Sequence, residues 1–193
     1  MDSDWQDIKA ACRCDKILNL SQLSPELIPT DPSYYNLYPN IEITVNEVPQ
    51  KLFVIYPDWT NKIETNDRSV TFDFNNRMYL STVDYIDPAK YFKINLLGGS
   101  LSFDVDLSKS GCGCLTSLYA IMMPAMDNVG DKFKYCDAGN EDGHFCPEFD
   151  LMEANKHAFR TTAHRCDAPD SNGVYTNCDH NGQCAIDVLE NEL

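Results

Sequence analysis

Three carboxylates within one short segment could carry acid–base chemistry. Glu148, Asp150 and Glu153 follow Cys146-Pro147 within residues 148–153. In an extended strand Glu148 and Asp150 share a face, whereas Glu153 has the opposite parity. A β-bulge near Leu151-Met152 would add one residue and turn Glu153 onto the same face. The sequence therefore predicts a bulged strand with three carboxylates on one side.

Such a cluster has two interpretations. Repulsion between like charges raises at least one carboxyl pKa, which suits a general acid working near neutral pH. Two carboxyls about 5–5.5 Å apart are the arrangement of a retaining glycosidase, with one nucleophile and one acid/base. Composition alone favours the simpler interpretation, an exposed acidic face. We interpret Asp104 and Asp106 as such an exposed acidic pair and assign them no catalytic function.

The elements that must position these side chains are antiparallel strands. Apolar and polar residues alternate over 41–46, 69–74, 92–96 and 101–108. This alternation predicts half-buried strands, and further strands are predicted at 115–123, 147–154 and 157–164. Many short strands separated by turns indicate an all-β protein, an antiparallel β-sandwich or jelly roll. We expect a single domain: an irregular segment over residues 1–40, with a short helix near 4–12, and the β-sandwich over 41–193.

Charge and length exclude several classes of partner. The chain has 193 residues and a formal net charge of −15. Such an acidic protein is a poor partner for nucleic acid or an anionic membrane. No apolar run approaches the roughly 18 residues of a membrane span. The first thirty residues do not resemble a signal peptide.

Nine cysteines indicate disulfides or a metal site. Seven of them lie within residues 112–184. That number suits an oxidising compartment, so we expect a secreted protein whose signal peptide is not part of this chain. An odd count leaves at least one thiol unpaired within the chain. A zinc site is the alternative, but its candidate ligands lack a paired Cys-x-x-Cys, and we expect no metal and no cofactor. Those candidate ligands are His144, Cys146, His164, Cys166, Cys178 and His180.

The carboxylate segment resembles the catalytic strand of glycoside hydrolase family 7, the fungal and protist cellobiohydrolases and endoglucanases. Its motif Glu-x-Asp-x-x-Glu-Ala-Asn corresponds to residues 148–155, with Cys146 before it and His164-Arg165-Cys166 after it. The similarity extends over about residues 69–184. Further matches lie at residues 77–80, 91–97, 103–108, 112–113, 118–119 and 135–137.

The resemblance implies a concanavalin-like jelly roll and retaining hydrolysis of β-1,4-glucan by double displacement. It assigns Glu148 as nucleophile, Asp150 as the residue that orients it, and Glu153 as acid/base. Shorter loops favour an open cleft and endo action. Four further residues match substrate-binding positions that line the family's cleft: Tyr119, Tyr135, Asp137 and His164. For Tyr119, core packing is an equal alternative.

The resemblance also implies two disulfides, Cys136–Cys146 and Cys178–Cys184. The family counterparts of Cys112 and Cys166 bond to cysteines in a second half that this chain lacks. They could pair with other cysteines, stay free, or bond another chain. We therefore expect association with a second polypeptide or a second copy, through an exposed sheet face or through Cys112 or Cys166.

A non-catalytic function is the alternative to the hydrolase. The chain is much shorter than the family's catalytic domain, so the resemblance implies a truncated jelly roll. Its two tryptophans, Trp5 and Trp59, lie outside the matched region, so aromatic platforms for sugar rings are scarce. The alternative is a carbohydrate-binding or structural subunit on a truncated family 7 scaffold.

Overall fold

The computed structural model describes residues 38–58, 60, 63–123, 132–140 and 143–188. Within these residues the chain forms antiparallel strands and one 3-10 turn, Pro88–Lys90, which confirms the all-β prediction. No helix in this part of the chain is long and apolar enough to cross a membrane. The strands are β1 Asn40–Val45, β2 Val48–Ile55, β3 Ile63–Thr65, β4 Val70–Phe72, β5 Tyr79–Ser81, β6 Thr116–Ile121, β7 Glu148–Asn155, β8 Ala158–His164 and β9 Cys184–Val188.

The described residues divide at residue 100 into two compact units. The first contains a three-stranded sheet in the order β1-β2-β5 and the β3–β4 hairpin. A two-residue turn joins β1 to β2, and its residues Asn46 and Glu47 both have positive φ, 48° and 68°. This is the turn geometry that matches the twist of a hairpin. Ile41, Leu52 and Val54 are buried as the core of this unit.

The second unit contains the four-stranded sheet β6-β7-β8-β9. β7 and β8 form a tight hairpin, in which the side-chain oxygen of Asn155 accepts the N–H groups of His157 and Ala158 at 2.8 and 3.1 Å. β7 lies between two partners, so its register is fixed from both sides. The expected strands at 115–123, 147–154 and 157–164 correspond to β6, β7 and β8 and are confirmed.

The predicted β-bulge is confirmed in β7. On β6, Leu118 lies opposite Met152 and the next residue, Tyr119, lies opposite Asp150, so Leu151 is the extra residue. The register on β8 shifts at the same place, between Asp150 and Glu153. The hydroxyl of Thr161 donates to the carbonyl of Asp150 at 2.7 Å, which satisfies a backbone group at the irregularity.

Two strand predictions are wrong. Residues 92–96 and 101–108 form no strand, and Phe103 and Val105 remain 45% exposed. Alternating apolar and polar residues are a property of a single segment, whereas a strand also needs a second segment to which its backbone can hydrogen-bond. The helix expected near 4–12 lies outside the described residues. The single-domain organisation with a boundary at residue 40 stays a prediction.

Candidate active site

The bulge in β7 brings three carboxylates to one face of the four-stranded sheet. Directly opposed residues on neighbouring strands share a face. On β8, His164 lies opposite Glu148 and Thr162 lies opposite Asp150. The hydroxyl of Thr162 also donates to Oε2 of Glu153 at 3.4 Å. Glu153 is therefore on the same face as the other two acids. In a regular strand, without the bulge, it would point to the opposite face.

The middle carboxylate is held by a histidine. Asp150 is only 4% exposed, and its Oδ2 lies 2.9 Å from Nε2 of His164. The other ring nitrogen, Nδ1, lies 2.6 Å from the carbonyl oxygen of Asp179. A carbonyl only accepts hydrogen bonds, so Nδ1 carries a proton. Burial alone would lower the pKa of His164, but the bonds to the Asp179 carbonyl and to Asp150 raise it. In its protonated form the ring places a positive charge next to the Asp150 carboxylate.

Glu148 is a half-buried carboxyl that titrates near neutrality. Burial raises the pKa of Glu148 to about 7. The backbone N–H of Ala138, which donates to its Oε2 at 3.0 Å, opposes this shift, and the charges of Asp150 and Asp137 add to it. The same Ala138 bond fixes the orientation of the carboxylate.

Glu153 is the second carboxyl with an altered affinity for protons. Burial raises the pKa of Glu153, and the nearby charge of Asp150 raises it further. The Thr162 hydrogen bond and the charge of Arg160 act in the opposite direction. Arg160 lies directly opposite Glu153 on β8, and its Nε is 3.4 Å from Oδ1 of Asp187. A carboxyl with a raised pKa can donate a proton in neutral solution.

Two tyrosines and an aspartate form a hydrogen-bonded chain in the same unit. Tyr135 donates its hydroxyl proton to Oδ2 of Asp137 at 2.6 Å, and the Tyr119 hydroxyl lies 3.4 Å from that of Tyr135. Because the only proton of the Tyr135 hydroxyl is committed to Asp137, Tyr119 is the donor in the second bond. Burial raises the pKa of Tyr135, so it stays a neutral phenol. Tyr119 lies opposite Asp150 on β6, so the chain reaches the carboxylate face.

The chain is similar to curated proteins named endoglucanases. The endo-β-1,4-glucanase celB of Aspergillus oryzae is 30% identical over 141 residues, 60% of this chain and 32% of that protein. Endoglucanase EG-1 of Hypocrea jecorina is 34% identical over 115 residues, 48% of this chain and 24% of that protein. The resemblance to glycoside hydrolase family 7 is confirmed. The chain spans about a third of the length of the curated relatives it matches. No protein-family model matches it.

A solved structure supports the fold. Glycosynthase mutants of Humicola insolens Cel7B match with a TM-score of 0.52 at 19% identity, over 77% of this chain and 57% of that one. This match confirms the expected antiparallel β-sandwich of the jelly-roll type.

One of the two implied disulfides forms and the other does not. Cys136 and Cys146 are bonded, with Cα atoms 5.5 Å apart, and tie the segment that carries Asp137 and Ala138 to the start of β7. The implied Cys178–Cys184 bond is wrong, because Cys178 bonds Cys166. Cys166 and Cys178 are direct antiparallel bridge partners with Cα atoms 4.0 Å apart, whereas Cys184 begins β9 opposite Ala163.

Two exposed cysteines in the described part of the chain, Cys112 and Cys184, form no disulfide. The expectation of a free thiol or an intermolecular bond therefore no longer includes Cys166, which is paired, but still includes Cys112.

The alternative zinc site is not formed by these residues. The sulfurs of Cys146, Cys166 and Cys178 are in disulfides and cannot act as thiolate ligands. In the described residues, ligand atoms of Glu148, Asp150 and His164 lie within 4.8 Å of one another. Both ring nitrogens of His164 are engaged in hydrogen bonds, to the Asp179 carbonyl and to Asp150.

Sequence reasoning missed three groups in the site. The N–H of Ala138 and the carbonyl of Asp179 act through the backbone, so their residue types carry no signal. Thr162 could have been found, because it lies two residues before His164 and so shares its face of β8. The Asn181-Gly182 pair predicts the turn that follows Asp179, but a turn signal does not show that this turn contacts His164.

Replacing Glu148 should stabilise the fold at high pH. The pKa of about 7 in the folded chain lies above the ordinary 4.5, so folding disfavours the ionised form. That penalty is complete above about pH 7, shrinks as the pH falls, and is absent below about pH 4.5. Glu148→Gln should therefore raise the melting temperature at about pH 8 and change it little at about pH 4. Asp104→Asn, at an exposed aspartate, is the control; an equal shift at both pH values would contradict the prediction.

Proposed function

We propose that this chain is a retaining glycoside hydrolase that cleaves β-1,4-glucan by double displacement, with endo action. The observation that carries the proposal is the bulge in β7. It places Glu148 and Glu153 on one face, on either side of an Asp150 that is hydrogen-bonded to His164. The matched relatives are named endoglucanases, which supports the substrate and the endo mode.

In the first step the Glu148 carboxylate attacks the anomeric carbon of the glucose unit at the cleavage point. The bond from that carbon to the glycosidic oxygen breaks, an ester to Glu148 forms, and Glu153 gives its proton to the departing oxygen. In the second step Glu153 accepts a proton from water as the water oxygen attacks the same carbon. The ester breaks and both carboxyls return to their starting state.

The local contacts suit these roles. Glu148 is fixed by the Ala138 N–H, which keeps one carboxylate oxygen engaged and leaves the other for attack. With a pKa of about 7, more of Glu148 becomes the nucleophilic carboxylate as the pH rises towards neutrality. Burial also raises the pKa of Glu153, which favours the protonated form that a leaving oxygen needs. Asp150 on β7 and His164 on the adjacent β8 are joined by a 2.9 Å hydrogen bond beside Glu148.

The tyrosine chain supplies contacts for the sugar. Tyr119 and Asp137 present a hydroxyl and a carboxylate next to the carboxylate face, in orientations fixed by the buried Tyr135 between them, and sugars are bound through such groups. A polymeric substrate and disulfides such as Cys136–Cys146 and Cys166–Cys178 suit an extracellular protein. We therefore propose secretion and a polysaccharide as the physiological partner.

The second candidate is a carbohydrate-binding or structural subunit without catalysis. One observation favours it: large apolar side chains are exposed on the sheet. Phe149 on β7 is 38% exposed and Ile186 on β9 is 65% exposed. Association through such a face, or through a disulfide at Cys112, stays a prediction.

A viscosity assay separates the two candidates. The purified chain should lower the viscosity of a soluble β-1,4-glucan, carboxymethylcellulose, faster than reducing ends appear, because internal cuts shorten long chains first. The same preparation of Glu148→Gln controls for contaminating cellulase. A chain that is retarded on a glucan gel but releases no reducing ends would overturn the hydrolase in favour of the binding subunit.

A further inference from the structure

The loop of residues 178–183 lies against the His164 side of the site. We infer that this loop is a positioning element for His164 and that Gly182 is the residue which permits its fit. The inference rests on the proposed function, because it concerns the same carboxylates. Gly182 has a φ of +66°, and a Cβ there would collide with Cγ2 of Thr162 and lie 3.0 Å from Cε1 of His164. Only glycine allows the loop this close.

The loop is built around one carbonyl. The Asp179 oxygen accepts from Nδ1 of His164 at 2.6 Å and from the N–H of Gly182 at 3.2 Å. The N–H of Asp179 donates to the carbonyl of Arg165 at 2.8 Å, and its Oδ2 accepts the N–H of Gln183 at 2.7 Å. The carbonyl of Asp179, which accepts from Nδ1 of His164, is thus held in place by the hydrogen bonds that Asp179 makes to Arg165, Gly182 and Gln183.

The loop is also fixed to its surroundings. Cys178 bonds Cys166, two residues after His164, so the loop is covalently tied to the end of β8. On its other side, the ring of His180 lies 3.3 Å from the position of a Cβ on Gly139, in the segment that carries Ala138. The loop therefore contacts the supports of both Asp150 and Glu148.

The consequence of moving the loop follows from these contacts. If the Asp179 carbonyl shifts, the His164 ring loses the acceptor that fixes its orientation, and the 2.9 Å bond from Nε2 to Asp150 weakens. The charged groups that face His164 from β7 are Asp150 and Glu148. With the ring displaced, Asp150 loses its hydrogen bond to β8, and the carboxylates of Asp150 and Glu148 are held less firmly.

Gly182→Ala tests the inference, with Gly173→Ala as the matched control. Gly173 has a φ of +81° but nothing within 4 Å of a Cβ, so it carries the same backbone strain without the contact. Gly182→Ala should lower kcat about 10- to 100-fold with little change in KM, because a small misplacement at a site can cost that much. It should also lower the pKa of His164, followed by NMR of the ring protons, while Gly173→Ala changes neither.

Two further variants keep the test decisive. Adding Thr162→Ser to Gly182→Ala removes Cγ2 but keeps the hydroxyl that bonds Glu153, and it should recover part of the lost kcat and of the His164 pKa. Asp179→Ala keeps the carbonyl but removes the anchor for Gln183, so it should shift both readouts in the same direction even if Gly182→Ala does not fold.

The inference is overturned if Gly182→Ala and Gly173→Ala behave alike, or if the His164 titration is unchanged in Gly182→Ala and Asp179→Ala. The NMR titration needs no turnover. An unmodified chain that cleaves no glucan would therefore reject the proposed function, while the His164 pKa still decides the role of the loop.

Discussion

Glu148→Gln should lower the turnover of a soluble β-1,4-glucan by about 10⁴-fold or more, since removing a nucleophile from a working site is among the costliest single changes. The amide has the shape of the carboxylate and can still accept the N–H of Ala138, so the segment beside it should stay in place. What the amide cannot do is form the ester to the anomeric carbon. We therefore expect loss of catalysis in a folded chain whose stability at high pH is increased.

A covalent trap identifies the nucleophile directly. A 2-deoxy-2-fluoro-cellobioside with a good leaving group should form a stable ester, and peptide mass analysis should locate it at Glu148. Asp104→Asn, at an exposed aspartate, should keep full activity and full labelling. Wild-type activity in Glu148→Gln, or labelling at Glu153, would contradict the assignment of the nucleophile.

The bulge in the carboxylate strand could be predicted because the spacing of its three acids does not fit one face of a regular strand. Glu148 and Asp150 have one parity and Glu153 the other, so a shared face requires an extra residue, and the register supplies it at Leu151. The β7–β8 hairpin is equally predictable, because a short turn fixes the pairing of two adjacent segments. Local pairing is thus enough to assemble the three acids.

Features that depend on distant partners could not be predicted in this way. The alternation in residues 101–108 marks an apolar side, but the sequence does not name the strand that would pair with it. Cys178 has Cys184 six positions away along the chain, yet it bonds Cys166, because the segment that follows β8 pairs with the start of the 178–183 loop there. The pairing that the resemblance implies is therefore wrong for Cys178.

The raised pKa values alone do not show which glutamate is the nucleophile and which is the acid/base. Burial raises the pKa of both Glu148 and Glu153, so either could hold a proton in neutral solution. Their partners differ: Glu148 accepts a backbone N–H at 3.0 Å, and Glu153 accepts a hydroxyl at 3.4 Å beside Arg160. A chemical experiment that separates a nucleophile from a proton donor is therefore the stronger test.

Glu153→Gln should lower kcat/KM for the glucan by about 10²- to 10⁴-fold, the usual contribution of a general acid–base residue. An aryl β-cellobioside with a 2,4-dinitrophenyl leaving group needs no proton for the first step, so the glycosyl-enzyme should form and then accumulate, because no base activates water. Azide needs no deprotonation, and it should attack the accumulated ester and restore turnover of this substrate. The glucan, which still needs an acid for its first step, should not be rescued.

The stereochemistry of the azide product decides between the two glutamates. In Glu153→Gln the anomeric carbon is inverted once by Glu148 and once by azide, so the product should be the β-glycosyl azide, identified by NMR. In Glu148→Gln azide can only displace the leaving group directly, and any product should be the α-glycosyl azide. If Glu148→Gln gave the β-glycosyl azide and Glu153→Gln did not, Glu153 would be the nucleophile and Glu148 the acid/base. Absence of any azide product from a Glu153→Gln chain that still releases dinitrophenol would contradict double displacement.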